Sequence, residues 1–252
     1  RLNCRKFGTS YMQYVDGEDY VNDLPISVLA EDVVHFPVTG SKAPEADSTA
    51  AIAPPAFPVW QRWNDYGIGL LLKGSAGSDK GELKQASEAF AQVESLGRPE
   101  GPVNAARVFF KEGRVDDAAR ALQRAAGFTP PAPRWTMAWF TGRVHAQNGE
   151  LDEAIQNYKS ILEDRYPELD ERGFDFSKDY VVINELGQTY YLRSKLERGQ
   201  PEREKQFLDL AIEQFNQTLG LDSENQTAHY NLSLIQAELG QQEQAAEHRP
   251  IH

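Results

Sequence analysis

Residues 149–158 read GELDEAIQNY, and in this stretch a glycine is followed five residues later by an alanine. The pairing recurs three more times along the chain, as Gly81/Ala86, Gly113/Ala118 and Gly240/Ala245. The alanines at positions 86, 118 and 154 are 32 and 36 residues apart, and Ala211 lies 34 residues before Ala245. A period near 34 residues with small side chains at fixed offsets is typical of stacked helical hairpins. The sequence therefore predicts a repeat array, an architecture that serves mainly for binding.

Small residues also recur on the first helix of the predicted hairpins, at Gly67, Gly142 and Gly187. Two antiparallel helices approach closely only where a side chain is small, so these glycines indicate the helix crossings. Each glycine that precedes a second helix is expected to form the left-handed turn that ends the first one. One hairpin cannot bury its apolar face alone, and stacking several makes a continuous core. We therefore expect a mainly α fold with about four and a half hairpins over residues 59–249.

The array resembles tetratricopeptide (TPR) repeats. The first repeat carries the family motif as Trp63, Tyr66, Gly67, Leu70, Ala86, Phe90 and Pro99, and the fourth carries it as Leu186, Gly187, Tyr190, Ala211 and Phe215. The resemblance implies a right-handed α-solenoid that binds proteins. The sequence departs from the family pattern at His145, where Tyr or another large apolar residue is usual, and in insertions within repeats one and four.

Residues 1–40 differ in character from the rest of the chain. Tyr11 and Tyr14 are β-favouring, and residues 26–28 and 34–38 alternate as strands do, so we predict a short β-rich segment. Two or three short strands seldom hold together alone in water. Three interpretations stay open: the end of a larger upstream β domain, a segment that pairs with another chain, and an arm packed on the helices.

Residues 41–58 are rich in proline and alanine, and the prolines remove backbone donors and disfavour a helix. We predict an extended, semi-rigid linker here. The chain opens on Arg1 without a leader, so we expect that it is processed or excised from a longer chain. Cys4 is the single cysteine, which fits a cytosolic protein and an exported bacterial one; we favour export to the periplasm or beyond.

Charge and motif content exclude several classes of function. The net charge of −12 argues against nucleic acid as a partner, because phosphates need a basic face. No run of about 18 apolar residues is present, so we expect no membrane span. The five histidines do not form a cluster at metal-binding spacing, and no phosphate loop or nucleophile motif occurs. We therefore predict a non-enzymatic chain without metal or cofactor.

Three further features have modest interpretations. His145 is read as a core or interface histidine. Residues 168–179 hold several acids around Phe174 and Phe176, and are expected to form a solvated connector between repeats. Asn225 begins one of three N-glycosylation sequons and lies in a predicted turn, which makes it the best acceptor if the chain meets a glycosylating pathway.

In TPR proteins the first helices of the hairpins line a groove, and the resemblance places candidate binding residues there. Arg107 and Arg143 occupy equivalent positions in adjacent repeats. Six more side chains have the same phase: Phe110, Trp139, Asn184, Gln188, Tyr191 and Tyr230. Arginines above aromatic rings can hold a carboxylate or a backbone carbonyl of a peptide. For Trp139 and Tyr191 the alternative is packing against the neighbouring hairpin.

Both ends of the chain are expected to be adhesive. The array stops soon after its fifth repeat begins, so Leu232, Leu234 and Ile235 are predicted to be partly uncovered. We expect self-association through this end or through the β-rich segment. Head-to-tail contacts between unlike surfaces can give open filaments, so a fibre-forming subunit is one interpretation.

The leading functional hypothesis is a scaffold that binds a peptide or a partner protein in the groove. The alternative rests on a second resemblance, to the C-terminal TPR region of bacterial multihaem c-type cytochromes, carried by residues 5–7, 30–32 and 64–69. It implies a docking module of an exported electron-transfer assembly. The chain has no Cys-x-x-Cys-His motif and so binds no covalent haem itself.

Overall fold

The computed structural model describes residues 2–4, 8–23, 26–30, 57–74, 81–170 and 173–248. The chain divides into two compact units, Arg1–Pro54 and Pro55–His252. Residues 34–38, for which the sequence predicts a strand, and residues 41–56 of the predicted linker lie outside the described residues.

The N-terminal unit holds two short strands and one helix among its described residues. Strand β1 (Leu2–Cys4) pairs antiparallel with β2 (Ser27–Ala30), and helix α1 (Thr9–Asp16) lies between them in sequence. The expectation of β structure around Tyr11 and Tyr14 is wrong, because both residues lie in α1. With Val15 they are spaced i, i+3, i+4, a helical spacing that outweighs their β propensity.

The second unit is helical. Its helices are α2 (Val59–Gly74), α3 (Glu82–Ser95), α4 (Glu100–Lys111), α5 (Val115–Ala126), α6 (Arg134–Asn148), α7 (Leu151–Glu163), α8 (Pro167–Asp170), α9 (Tyr180–Leu196), α10 (Pro201–Leu221), α11 (Gln226–Glu238) and α12 (Gln242–Glu247). A 3-10 helix, Phe176–Lys178, lies between α8 and α9. The pairs α2/α3, α4/α5, α6/α7, α9/α10 and α11/α12 pack as consecutive hairpins, so the predicted mainly α repeat fold is confirmed.

The recurring glycines end the first helix of a hairpin in the expected way. Gly113 and Gly149 have φ values of 73° and 80°, in the left-handed region that glycine adopts without strain. The amide that follows each glycine then donates back to its helix, Arg114 to the carbonyl of Phe109 at 2.8 Å and Glu150 to that of His145 at 2.9 Å. These bonds satisfy carbonyls that a helix end leaves free.

The glycines within first helices mark points where an aromatic ring crosses. A Cβ atom on Gly67 would lie 2.5 Å from Cε1 of Phe90. On Gly142 it would lie 2.8 Å from Tyr158, and on Gly187 it would lie 2.9 Å from Phe215. All three aromatic side chains are fully buried. Each ring therefore occupies the space that a missing side chain leaves on the partner helix.

Consecutive hairpins share their apolar contacts. Ala105 and Val108 of α4 join the cluster formed by α2 and α3, and a larger cluster runs through α7, α9, α10 and α11. This continuity is how an array of hairpins gains stability that a single hairpin lacks. None of the described helices is long and apolar enough to cross a bilayer.

The C-terminal end of the array is better covered than the sequence suggests. Leu232 and Ile235 are fully buried, so the expectation that they are partly uncovered is wrong. The six-residue helix α12 packs on α11 and buries Ala245 with them. Leu234 stays 39% exposed.

Candidate functional site

The eight side chains predicted for partner binding all lie on first helices, and the structure places them in two groups. Arg107 and Phe110 lie on α4 and Trp139 and Arg143 on α6, while Asn184, Gln188 and Tyr191 lie on α9 and Tyr230 on α11. Helix α4 contacts α6, and α9 contacts α11. The prediction that Arg107 and Arg143 share one face can therefore be examined on the α4–α6 pair.

Helices α4 and α6 exchange cation–π contacts. The guanidinium carbon of Arg143 lies 4.6 Å from the ring centre of Phe110 and 5.7 Å from that of Trp139. In the other direction, the guanidinium carbon of Arg107 lies 5.7 Å from the ring centre of Phe140. Each helix thus supplies an arginine to an aromatic ring of the other, within the range where such contacts are attractive. We call these five side chains the arginine–aromatic cluster.

Arg107 is held by polar neighbours that are themselves neutral. Its Nη1 donates to Oδ1 of Asn104 at 2.9 Å, and Nδ2 of Asn104 donates to Oδ1 of Asn64 at 2.8 Å. Burial lowers the pKa of Arg107, but an arginine keeps its proton at neutral pH. The chain of amides therefore orients a positive charge without neutralising it.

Neither arginine of the cluster forms an ion pair with a described carboxylate. Other arginines on the array do, such as Arg114 with Asp117 at 2.7 Å and Arg124 with Glu94 at 2.7 Å. Among the described residues, the direct contacts of Arg143 and Arg107 are the ring and amide contacts given above. Two half-buried arginines without an ion pair, in a chain of net charge −12, are the distinctive feature of this surface.

A half-buried carboxyl group and a buried hydroxyl lie within electrostatic range of Arg143. Burial raises the pKa of Glu185, and the charge of Arg143 partly opposes that shift. Burial also raises the pKa of Tyr158, whose hydroxyl has no hydrogen-bond partner among the described residues. Because a buried polar group without a partner is costly, this part of the surface is polar and unsatisfied beneath the cluster.

The second group is occupied by contacts between α9 and α11. The hydroxyl of Tyr191 donates to Oε2 of Glu238 at 3.1 Å. The ammonium group of Lys195 lies 4.1 Å from the Tyr191 ring centre and pairs with the same carboxylate. The alternative interpretation of Tyr191, packing against the neighbouring hairpin, fits these contacts. Tyr230 is 56% exposed.

Asn184 bridges to the next repeat. Its Nδ2 donates to Oδ1 of Asn225 at 3.1 Å, and the same Asn225 oxygen accepts from the amide of Ala228 and so caps α11. Nδ2 of Asn225, the atom that glycosylation would modify, donates to Asp222 at 3.1 Å. Oδ1 of Asn184 is buried and accepts no hydrogen bond from the residues that the structure describes.

His145 is half-buried, and its Nδ1 lies 2.5 Å from Oε2 of Glu150. Among the described residues, no group of three or more His, Cys, Asp or Glu side chains is arranged to hold a metal ion.

The connector between α7 and α9 is largely solvated, as expected, but one of its aromatic side chains also packs on the helices. Phe176 is half-buried and lies 6.0 Å from Trp135 and 5.7 Å from Tyr166, measured between ring centres. Phe174, which is 49% exposed, stacks edge-on against Phe176 at 4.9 Å. The aromatic content of an otherwise acidic connector was the signal for this packing.

The connector completes a pocket that the sequence analysis missed. A cavity of about 310 Å³ lies between α6 and α9, and its walls are mostly apolar. We call it the aromatic pocket; its lining includes Trp135, Trp139, Phe140, Ile161, Phe176, Val181 and Val182. Trp139 and Phe140 belong also to the arginine–aromatic cluster, so the pocket and the two arginines adjoin.

Comparisons with known proteins agree with this architecture. A family model described as tetratricopeptide repeat matches residues 103–169 and 196–248. No curated protein matches the sequence. One similar solved structure is a chain of the APC/C hetero-tetramer Cut9-Hcn1, with a TM-score of 0.57, 17% identity, and coverage of 75% of this chain and 32% of that one. Another is the MamA RS-1 ArsTM double mutant, with a TM-score of 0.50, 14% identity and coverage of 74% and 90%.

At such identities the two structures bear on the fold alone. The residues that match the family model lie in the packed hairpins, and the glycines at the helix crossings recur at equivalent positions of those hairpins. The helical unit of this chain therefore has a TPR-like fold, and residues 103–169 and 196–248 match the tetratricopeptide repeat family.

Proposed function

We propose that this chain is a non-enzymatic scaffold that binds an acidic peptide segment of a partner protein at the arginine–aromatic cluster. A TPR array serves protein–protein interaction, and that coarser role follows from the family match. The observation that carries the finer proposal is that Arg107 and Arg143 form no ion pair with a carboxylate among the described residues.

The chemistry favours a carboxylate as the ligand. Hydrogen bonds to charged groups contribute about 1.5–3 kcal/mol each, more than neutral ones. The aromatic rings of the cluster add contact area at low entropic cost, as in binding hot spots. Because the chain has a net charge of −12, its overall field repels an acidic segment, whereas the two arginines attract one locally.

A selection from a random peptide library, followed by affinity measurements, tests this proposal. Peptides enriched on the wild-type chain should contain Asp or Glu and should bind Arg107→Gln and Arg143→Gln variants at least tenfold more weakly. Arg120→Gln on α5 is the matched control, because Arg120 is an exposed arginine that pairs with Asp117. Binding that is the same for all four proteins would move the site away from the cluster.

The alternative hypothesis, a docking module of an electron-transfer assembly, gains no support from the described residues. Of the segments that carry the cytochrome resemblance, residues 64–69 lie in α2, where Asn64 accepts from Asn104 and Gly67 meets Phe90. The internal contacts of Asn64 and Gly67 are enough to explain why these residue types occur there. The docking module of an electron-transfer assembly therefore stays a prediction, as do self-association and export.

A further inference from the structure

We infer that the aromatic pocket receives one large apolar side chain of the bound segment, two residues away from the carboxylate that the arginines hold. This inference rests on the proposed function and adds a specificity that the arginines cannot supply. The partner is thus an extended protein segment with a large apolar residue, any residue, and then an acidic one, in either chain direction.

The shape and lining of the pocket suit an apolar side chain. Its floor is formed by Ile161 and Val182, which are 1% and 4% exposed, and its walls by half-buried Trp135 and Phe176. Its volume of about 310 Å³ is at the lower end of ligand-binding pockets, which span roughly 300–1,000 Å³. A single large side chain fits within such a space.

The carboxylate at the pocket is already engaged. Oδ1 of Asp179, on the pocket rim, accepts from the amides of Val181 and Val182 at 2.9 and 3.4 Å and so caps α9. That carboxylate is committed to the helix N-terminus and offers little to a ligand. A ligand therefore makes apolar contacts inside the pocket, and its charged group binds outside the pocket, at the arginines.

The spacing follows from helix geometry. Trp139 lines the pocket, and Arg143 follows it by four residues on α6, which is about 6 Å along the helix axis. In an extended segment, side chains two residues apart point to the same side and are separated by about 6.6 Å. An apolar residue in the pocket therefore places the carboxylate two positions away beside Arg143.

Charge complementarity selects a peptide over other occupants. A second copy of this chain brings a net charge of −12 to the surface, but the pocket and the arginines together fit one apolar side chain beside one carboxylate, not a broad acidic face. An uncharged apolar molecule fits the pocket but gives neither arginine an ion pair. Only a segment that carries both groups satisfies the pocket and the arginines together.

The test uses oriented peptide libraries on the full chain. Three libraries hold a degenerate background with Phe-x-Asp, Ala-x-Asp or Phe-x-Asn fixed at the centre. Wild-type protein should retain the Phe-x-Asp library at least tenfold better than either of the others. Val181→Asp should abolish the preference for Phe over Ala and keep the preference for Asp over Asn. Arg143→Gln should abolish the preference for Asp over Asn and keep the preference for Phe over Ala.

Val181→Asp is chosen because it tests the pocket without endangering the fold. Val181 is 49% exposed and lies in the first turn of α9, where a carboxylate is favourable. Leu192→Asp on the same helix, also 49% exposed, is the matched control and should behave as wild type. Trp135→Ala provides a second variant of the pocket wall.

The outcomes separate the inference from the proposed function. If Asp is preferred over Asn but Phe is not preferred over Ala, or if Val181→Asp and Trp135→Ala leave that preference intact, the inference is overturned and the scaffold proposal stands. If Asp is not preferred and Arg143→Gln changes nothing, both are overturned.

Discussion

Gly67 and Gly69 lie on the same helix, and we expect the same substitution to have opposite effects at the two positions. On Gly67 a Cβ would lie 2.5 Å from Cε1 of Phe90 and 2.9 Å from its Cδ1 and Cζ. On Gly69 it would meet nothing within 4 Å. The Phe90 ring is 0% exposed, so it has no free space into which to move.

The magnitudes follow from these distances. Carbon atoms attract best at about 3.5–4.0 Å, so the ring and helix α2 must separate by about 1 Å to accept the methyl group. Overpacking of this kind costs about 1–3 kcal/mol, and a buried ring puts Gly67→Ala near the upper value. Replacing glycine by alanine within a helix gains about 1 kcal/mol. We expect a net loss of about 2 kcal/mol for Gly67→Ala and a gain of about 1 kcal/mol for Gly69→Ala.

Urea unfolding followed by far-UV circular dichroism measures the difference. Phe90→Leu removes Cε1 and Cζ, so in that background Gly67→Ala should cost less by about 1–2 kcal/mol, a coupling typical of side chains in contact. Gly69→Ala should have the same effect in both backgrounds. A Gly67→Ala variant as stable as Gly69→Ala, or one whose cost ignores Phe90→Leu, would refute the nesting of ring against glycine.

Three other outcomes are expected. Burial raises the folded-state pKa of Glu185, so the stability that its protonated form contributes is lost as pH rises through that pKa. The melting temperature of Glu185→Gln should therefore be higher than that of wild type at about pH 8, and the difference should disappear at about pH 4. Gly101→Ala puts a Cβ 2.3 Å from the backbone nitrogen of Glu94, which cannot yield as a side chain does, so urea unfolding should show a loss of about 3 kcal/mol; no loss contradicts the close approach of α3 and α4. Burial, and then the charge of His229, lower the folded-state pKa of His248, so its contribution to stability is present above about pH 6.5 and falls as pH drops through that pKa. His248→Asn should reduce the dependence of the unfolding free energy on pH in this range, and an unchanged dependence would contradict the role of His248.

The fold was predictable because its determinants are steric and periodic. Gly142 must be small where Tyr158 crosses it, and Gly149 must adopt a left-handed turn, so each leaves a fixed residue at a fixed offset. Gly101 shows the limit of that reasoning. It approaches the backbone of α3 across the junction between two repeats, and no recurring partner position reveals such a contact in the sequence.

The site was predictable only in part. The helical phase correctly put Arg107 and Arg143 on neighbouring first helices, because phase follows from residue number. Which rings they meet depends on the separation and angle of the helices, so the role of Phe140 was not foreseen. The burial of Leu232 by the short α12 was misjudged, because helix length alone does not give the area that a helix covers.

The residues that define the repeat differ from the residues proposed for binding, which explains why the family match does not identify the partner. Residues such as Gly187 and Phe215 are engaged with each other and have no surface left for a ligand. The arginine–aromatic cluster and the aromatic pocket use positions that the repeat leaves free, and Phe176 comes from a connector that the repeat does not require. Binding chemistry in this chain must therefore be argued from side chains that packing does not explain. By that criterion Arg143, held over two rings without an ion pair among the described residues, is the residue from which the search for the partner should begin.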